Sequence, residues 1–156
     1  MASDQNKLLQ VALSQCLKER GFRKTGPTWR RASTDCVSVL NIQGSQWGPS
    51  FYINLGVYFT ALGTEPNPNE YDCHIRCRLA DLLPQQERLA QILDFEKEVS
   101  LSVRSRELEA AVIQYALPWL ERCSSRSGAA TFVASLPARS PWVTEAVRTF
   151  LKVPSV

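Results

Sequence analysis

The sequence contains a single histidine, His74, and none of the short arrangements that usually announce a reaction. It has no G-x-S-x-G elbow, and a nucleophilic Ser or Cys elsewhere would have only that one imidazole as its base. It has no G-x-x-x-x-G-K-[ST] loop and no G-x-G-x-x-G fingerprint, so no standard nucleotide cradle is expected. No run approaches the roughly 18 uninterrupted apolar residues of a membrane span. The opening "MASDQNKLLQVALSQCLKERG" has no basic leader, and Gln10, Ser14 and Gln15 interrupt its apolar residues, so neither a signal peptide nor a membrane partner is expected. The net charge is only +3 and no basic tail or block is present, which argues against nucleic acid. Five scattered cysteines (Cys16, Cys36, Cys73, Cys77, Cys123) make an odd count, which suits free buried thiols in a reducing compartment. A cytoplasmic location is expected.

Metal and acid–base chemistry fare no better. Cys73, His74 and Cys77 have the right elements for zinc but sit in an alternating run. Residues four apart on a strand are roughly 13 Å apart, whereas zinc holds each sulfur at about 2.3 Å. Glu96 with Glu98, and Glu107 with Glu109, read as solvated charges near helix starts. The sequence therefore assigns no catalytic residue, no metal and no cofactor.

The 156 residues that remain to be explained are 44% hydrophobic and 21% charged, an ordinary balance for one globular domain. A chain of this length buries roughly 70% of its unfolded surface and needs no staples. Residues Asp4 to Arg20 predict a helix: Leu9, Leu13, Cys16 and Leu17 form one stripe, Ser3 or Asp4 caps it, and Gly21 sits at C′. Four strands follow. The first ends at Trp29–Arg31 after a Gly26-Pro27 turn. The second runs from Cys36 to Gln43, where an apolar phase shift calls for a bulge near Leu40 or burial on both faces. The third is "FYINLGVYF", and the fourth is "YDCHIRCRL", from Tyr71 to Leu79. "GTEPNPNE" reads as a loop by composition. Helical periodicity takes over after Asp81, with Pro84 near a helix start and Pro118 marking a kink or break. Val99–Val103 reads as a short extended segment. Ser140 and Pro141 are expected to open a last helix carrying Trp142, Val143, Ala146, Val147, Phe150 and Leu151. The predicted architecture is α+β: a four-stranded antiparallel sheet after an N-terminal helix, with C-terminal helices packed on one sheet face. The other face is expected to lie open to water.

That open face carries the candidate site. Adjacent third and fourth strands would place Tyr52, Asn54 and Tyr58 beside His74, Arg76 and Arg78, with Arg31 and Gln43 extending the surface. Flat rings offer contact area, and guanidinium groups grip carboxylates or phosphates with paired hydrogen bonds. The plainer reading is that these are cross-strand pairs keeping an exposed sheet soluble. Trp29 and Trp47 flank the surface at strand ends, where they either join it or pack an edge. Trp119 and Trp142 fall on apolar stripes and read as core.

"GFRKTGPTWRR", "VLNIQGSQWGPSFYINLGVYF" and "CHIRCRLADL" together resemble the bacterial domain of unknown function 4304 family, over roughly Leu8 to Leu83. The shared positions are Trp29, Arg31, Asn41, Gln43, Tyr52, Asn54, His74, Arg76 and Arg78. The resemblance implies no activity. It implies a small cytosolic protein of the kind encoded beside toxin genes, hence an immunity role. The expected function is thus a non-catalytic binding protein whose partner is a cognate toxin or effector domain, met through the Tyr/Arg face. The competing expectation is a small enzyme or ligand-binding protein that places Tyr52, His74, Arg76 and Arg78 around an anionic substrate in a concave pocket, with His74 as base. An exposed sheet edge is also able to pair two copies as a homodimer.

Overall fold

Ser3 accepts the Asn6 amide with its side chain and starts helix α1, Asp4–Glu19. The structure, a computed structural model, describes residues 3–138 and 140–153. Gly21 ends the helix with φ +84°, and the Phe22 amide reaches back to the Leu17 carbonyl. Next come five strands: β1 (Arg23–Thr25), β2 (Thr28–Ala32), β3 (Cys36–Gly44), β4 (Phe51–Phe59) and β5 (Ile75–Arg78). They pair antiparallel in sequence order. After them come α2 (Gln86–Ile92), α3 (Leu101–Ala111), a π turn at Val112–Ala116, α4 (Leu117–Cys123), α5 (Arg126–Ala134) and α6 (Glu145–Leu151). The α+β architecture is as expected, with an added strand: the tight turn at Gly26 (φ +57°) lets Arg23–Thr25 pair back on β2.

The helices cover one sheet face. Leu9, Leu13 and Leu17 of α1 meet Leu40, Ile42 and Leu55 of the sheet and Leu108, Trp119 and Leu120 of the later helices in one continuous core. Each such fully buried side chain contributes about 1.5–3 kcal/mol of transfer free energy. Trp29 pairs with Leu40 and belongs to this core at 1% exposure, which removes it from any surface. The apolar phase shift of β3 resolves as burial on both faces. Its pairing with β4 runs unbroken from Cys36↔Phe59 to Gly44↔Phe51, while Val37 and Val39 pack on the far side with Tyr58 and Cys73.

That second cluster corrects the expectation of an open face. The chain between β4 and β5 folds back over the upper half of the sheet. Only Ile75–Arg78 of the expected Tyr71–Leu79 strand is extended and paired; Glu70–Asp72 is a 3₁₀ turn and Tyr71 is exposed. Alternation fails at Cys73, which packs on the polar side. Gly56 makes room for it: a Cβ there would lie 2.6 Å from the Cys73 sulfur.

Three helix boundaries also move. Val99–Val103 is not extended: Ser100 caps α3 by accepting the Val103 amide, so the helix starts at Leu101. Pro118 does not break the later helix. Its missing N–H and its ring are absorbed by the π turn, and the chain continues into α4. The last helix begins at Glu145 with Thr144 as cap, because residues before it are drawn into sheet contacts. Arg76 donates its amide to the Trp142 carbonyl, Val143 bridges to Ile75, and the Thr144 amide donates to the His74 carbonyl. Trp142 is accordingly half-buried beside Arg76 rather than on a helical stripe.

Candidate functional site

The fold-back segment divides the polar face into a covered half and an open half. In the covered half, His74 and Tyr58 are buried and their rings lie 4.6 Å apart. The Phe59 amide donates to His74 Nδ1 at 2.9 Å, and the His74 amide donates to the Val57 carbonyl. Burial pushes the imidazole pKa down, so the ring is held neutral with its one lone-pair nitrogen already engaged. The Tyr58 hydroxyl accepts the Glu65 amide. Both residues, expected at the surface, therefore clamp the segment to the sheet.

Two arginines hold the same segment from below. Arg30 Nε donates to the Pro68 carbonyl at 2.7 Å, and Arg76 forks onto Glu70 through Nε–Oε1 (2.8 Å) and Nη2–Oε2 (3.1 Å). The Glu70 carboxylate raises the Arg76 pKa through these hydrogen bonds. Arg30 takes the position that was expected of Arg31. Because Trp29 faces the core, Arg31 shares its side, where it stacks on Phe22 and pairs with Glu121 at 3.0 Å. Alternation around Trp29 carried that signal, since an indole turned inward puts Arg30 on the polar face.

The open half is a strip of amides, in which Asn54, expected at the surface, is itself buried. Asn54 Nδ2 donates to Gln43 Oε1 (2.7 Å) and Asn41 Oδ1 (3.3 Å), and Asn41 Nδ2 donates to Thr28 Oγ1 (3.0 Å). Cross-strand pairing makes this possible, because Asn41 sits opposite Asn54 and Gln43 opposite Tyr52. With Asn69, Glu70, Tyr71 and Arg76 as its wall, the strip floors a recess of ≈ 350 Å³. The wall residues Asn69, Glu70 and Tyr71 were missed because they lie in a loop whose path the sequence pattern does not encode.

Arg78 closes the strip beside Tyr52. It pairs with Asn54 across β4–β5, and its guanidinium carbon lies 4.0 Å from the centre of the Tyr52 ring. Among the described residues its side chain has no hydrogen-bond acceptor, and its Nε is shut away from solvent. The structure thus brings together Gln43, Tyr52, Asn54, Arg76 and Arg78. Trp47 stands apart in the β3–β4 connection at 88% exposure. No cluster of metal-ligating side chains occurs among the described residues, and all five cysteines are free and buried. No described helix is long and apolar enough to cross a membrane.

No curated protein and no solved structure matches the chain. The family described as domain of unknown function (DUF4304) matches residues 13–122, which extends beyond the strands into α4. The chain belongs to the DUF4304 family.

Proposed function

We propose that this chain is a binding protein, an immunity protein that neutralises a toxin or effector domain by docking the open half of its sheet over it. The observation that carries the reading is Arg78. It is a guanidinium held flat on Tyr52, with no acceptor of its own among the described residues, at the end of an amide strip fixed by its own hydrogen bonds. Such a surface spends little entropy on ordering when an acidic partner meets it. Tyrosine and arginine are among the residues that carry most of the binding energy at interfaces. Arg76 contributes less as a free charge, because Glu70 already neutralises it.

The test is coexpression with the product of the neighbouring gene, followed by calorimetry of the purified pair. Arg78→Ala and Tyr52→Ala should each weaken binding at least 30-fold, about 2 kcal/mol. Arg76→Ala is a poor probe, since it strands the buried Glu70 carboxylate. Unchanged affinity in both variants removes the sheet face from the interface.

One observation favours a second reading, that of a ligand-binding protein: the open half is concave rather than flat. Acid–base chemistry by His74 draws no support from the site, because the nitrogen that would take a proton accepts the Phe59 amide.

A further inference from the structure

A second cavity, of ≈ 300 Å³, lies on the other side of Arg78, between the start of β4 and helix α2. Its floor is apolar, built from Phe51, Ile53, Leu89 and Leu93, all buried members of the main core. Its rim is polar and asymmetric. Arg78 stands at one end and Asp94 at the other. Arg78 pairs with Asn54, and Asp94 bridges to Ser50, four residues away along the same strand. That spacing puts the two backbone positions roughly 13 Å apart.

The two ends are not equivalent. Asp94 Oδ1 already accepts the Glu96 amide. Arg78 Nε has no hydrogen-bond partner among the described residues, and the guanidinium lies over the face of Tyr52. A half-buried cation with unused donors beside an apolar hollow is complementary to one kind of ligand, an apolar body ending in a single carboxylate. The carboxylate would fork onto Arg78 and the body would cover Leu89 and Leu93. A second carboxylate at the far end would meet Asp94 and be repelled.

We infer that this cavity is a binding site for a small aliphatic monocarboxylate. It lies beside the amide recess and shares Arg78 and Tyr52 with the docking surface, but its test needs no protein partner, so failure of one reading is distinguishable from failure of the other.

Hexanoate, 1-hexanol, adipate and acetate, titrated into the isotopically labelled full chain and followed by amide NMR shifts, test it. Hexanoate should give saturable shifts at Tyr52, Ala80, Gln86 and Ala90, with a dissociation constant at least tenfold below those of the other three. Arg78→Gln should erase the advantage of hexanoate over hexanol. Ala90→Trp, at an exposed position on the cavity mouth, should abolish binding with the remaining spectrum unchanged. Equal affinity for acid and alcohol, shifts that map elsewhere, or no saturation up to the solubility of hexanoate overturns the inference.

Discussion

His74 shows how a single side chain is reassigned by what it touches. On a solvated strand it would be a titrating surface group. Here it accepts the Phe59 amide, stacks on Tyr58 and anchors the start of β5. Its folded pKa is lowered from the usual 6.5 by burial. A lowered pKa means the unfolded chain takes up the proton first as pH falls. Stability is therefore full above about pH 6.5 and is lost as pH drops from there towards the folded pKa, with a slope of at most about 1.4 kcal/mol per pH unit. Urea unfolding at pH 7.5, 6.5 and 5.5 should show this loss in the parent chain. It should be smaller in His74→Gln, whose side-chain oxygen can still accept the Phe59 amide. Carboxylates titrate alike in both proteins and cancel in the comparison. Matching pH profiles would mean His74 is not held neutral by the fold.

At the scale of the element, one helix end, that of α2, is closed by a distant side chain. Arg104 of α3 is buried at 3% exposure, with no carboxylate forked onto it. Instead Nη1 donates to the carbonyls of Ile92 (2.7 Å) and Asp94 (2.9 Å), Nε to Val99, and Nη2 to Lys97, while Phe95 lies against the guanidinium plane. One side chain thus closes the end of α2 and orders the connection to α3. Arg104→Met keeps the stem volume and removes every donor, leaving several buried carbonyls unpaired at about 1–3 kcal/mol each before relaxation. A net loss of at least about 3 kcal/mol in denaturant unfolding is expected, with hydrogen exchange across residues 94–99 accelerating first. A loss under about 1 kcal/mol would show that water replaces the guanidinium. None of this was readable beforehand, since "SVRSREL" presents two arginines at equivalent cost and only the packed helices say which is inside. The capping of α1 by Ser3 and Gly21 was readable, because those signals act within one turn of the chain. The start of the last helix was not. Ser140 and Pro141 make a good local N-terminus, but pairing of Val143 with Ile75 outweighs it.

At the scale of the whole molecule, the thiols report on the packing of the two apolar clusters. All five thiols are free and buried, and burial raises the pKa of each of Cys73, Cys77 and Cys123. A thiol reagent at neutral pH should leave the native chain unlabelled for minutes and find five groups in denaturant. Labelling should therefore report opening of the fold. Rapid modification of even one cysteine under native conditions would show that its part of the core opens independently. The helix-covered face and the neighbouring of β4 and β5 were implied by hydrophobic period and by the short links expected between strands, which are local properties of the sequence. Which polar residues remain available was another matter. It depends on the path of Gly63 to Cys73, a segment with no period of its own. Its placement rests on contacts with side chains of the sheet: Tyr58 with Glu65, Arg30 with Pro68, Arg76 with Glu70. Those contacts buried Tyr58 and His74 and left Arg78 without an acceptor, because a loop's course is fixed by how its residues meet the surface it lands on, which no local pattern announces.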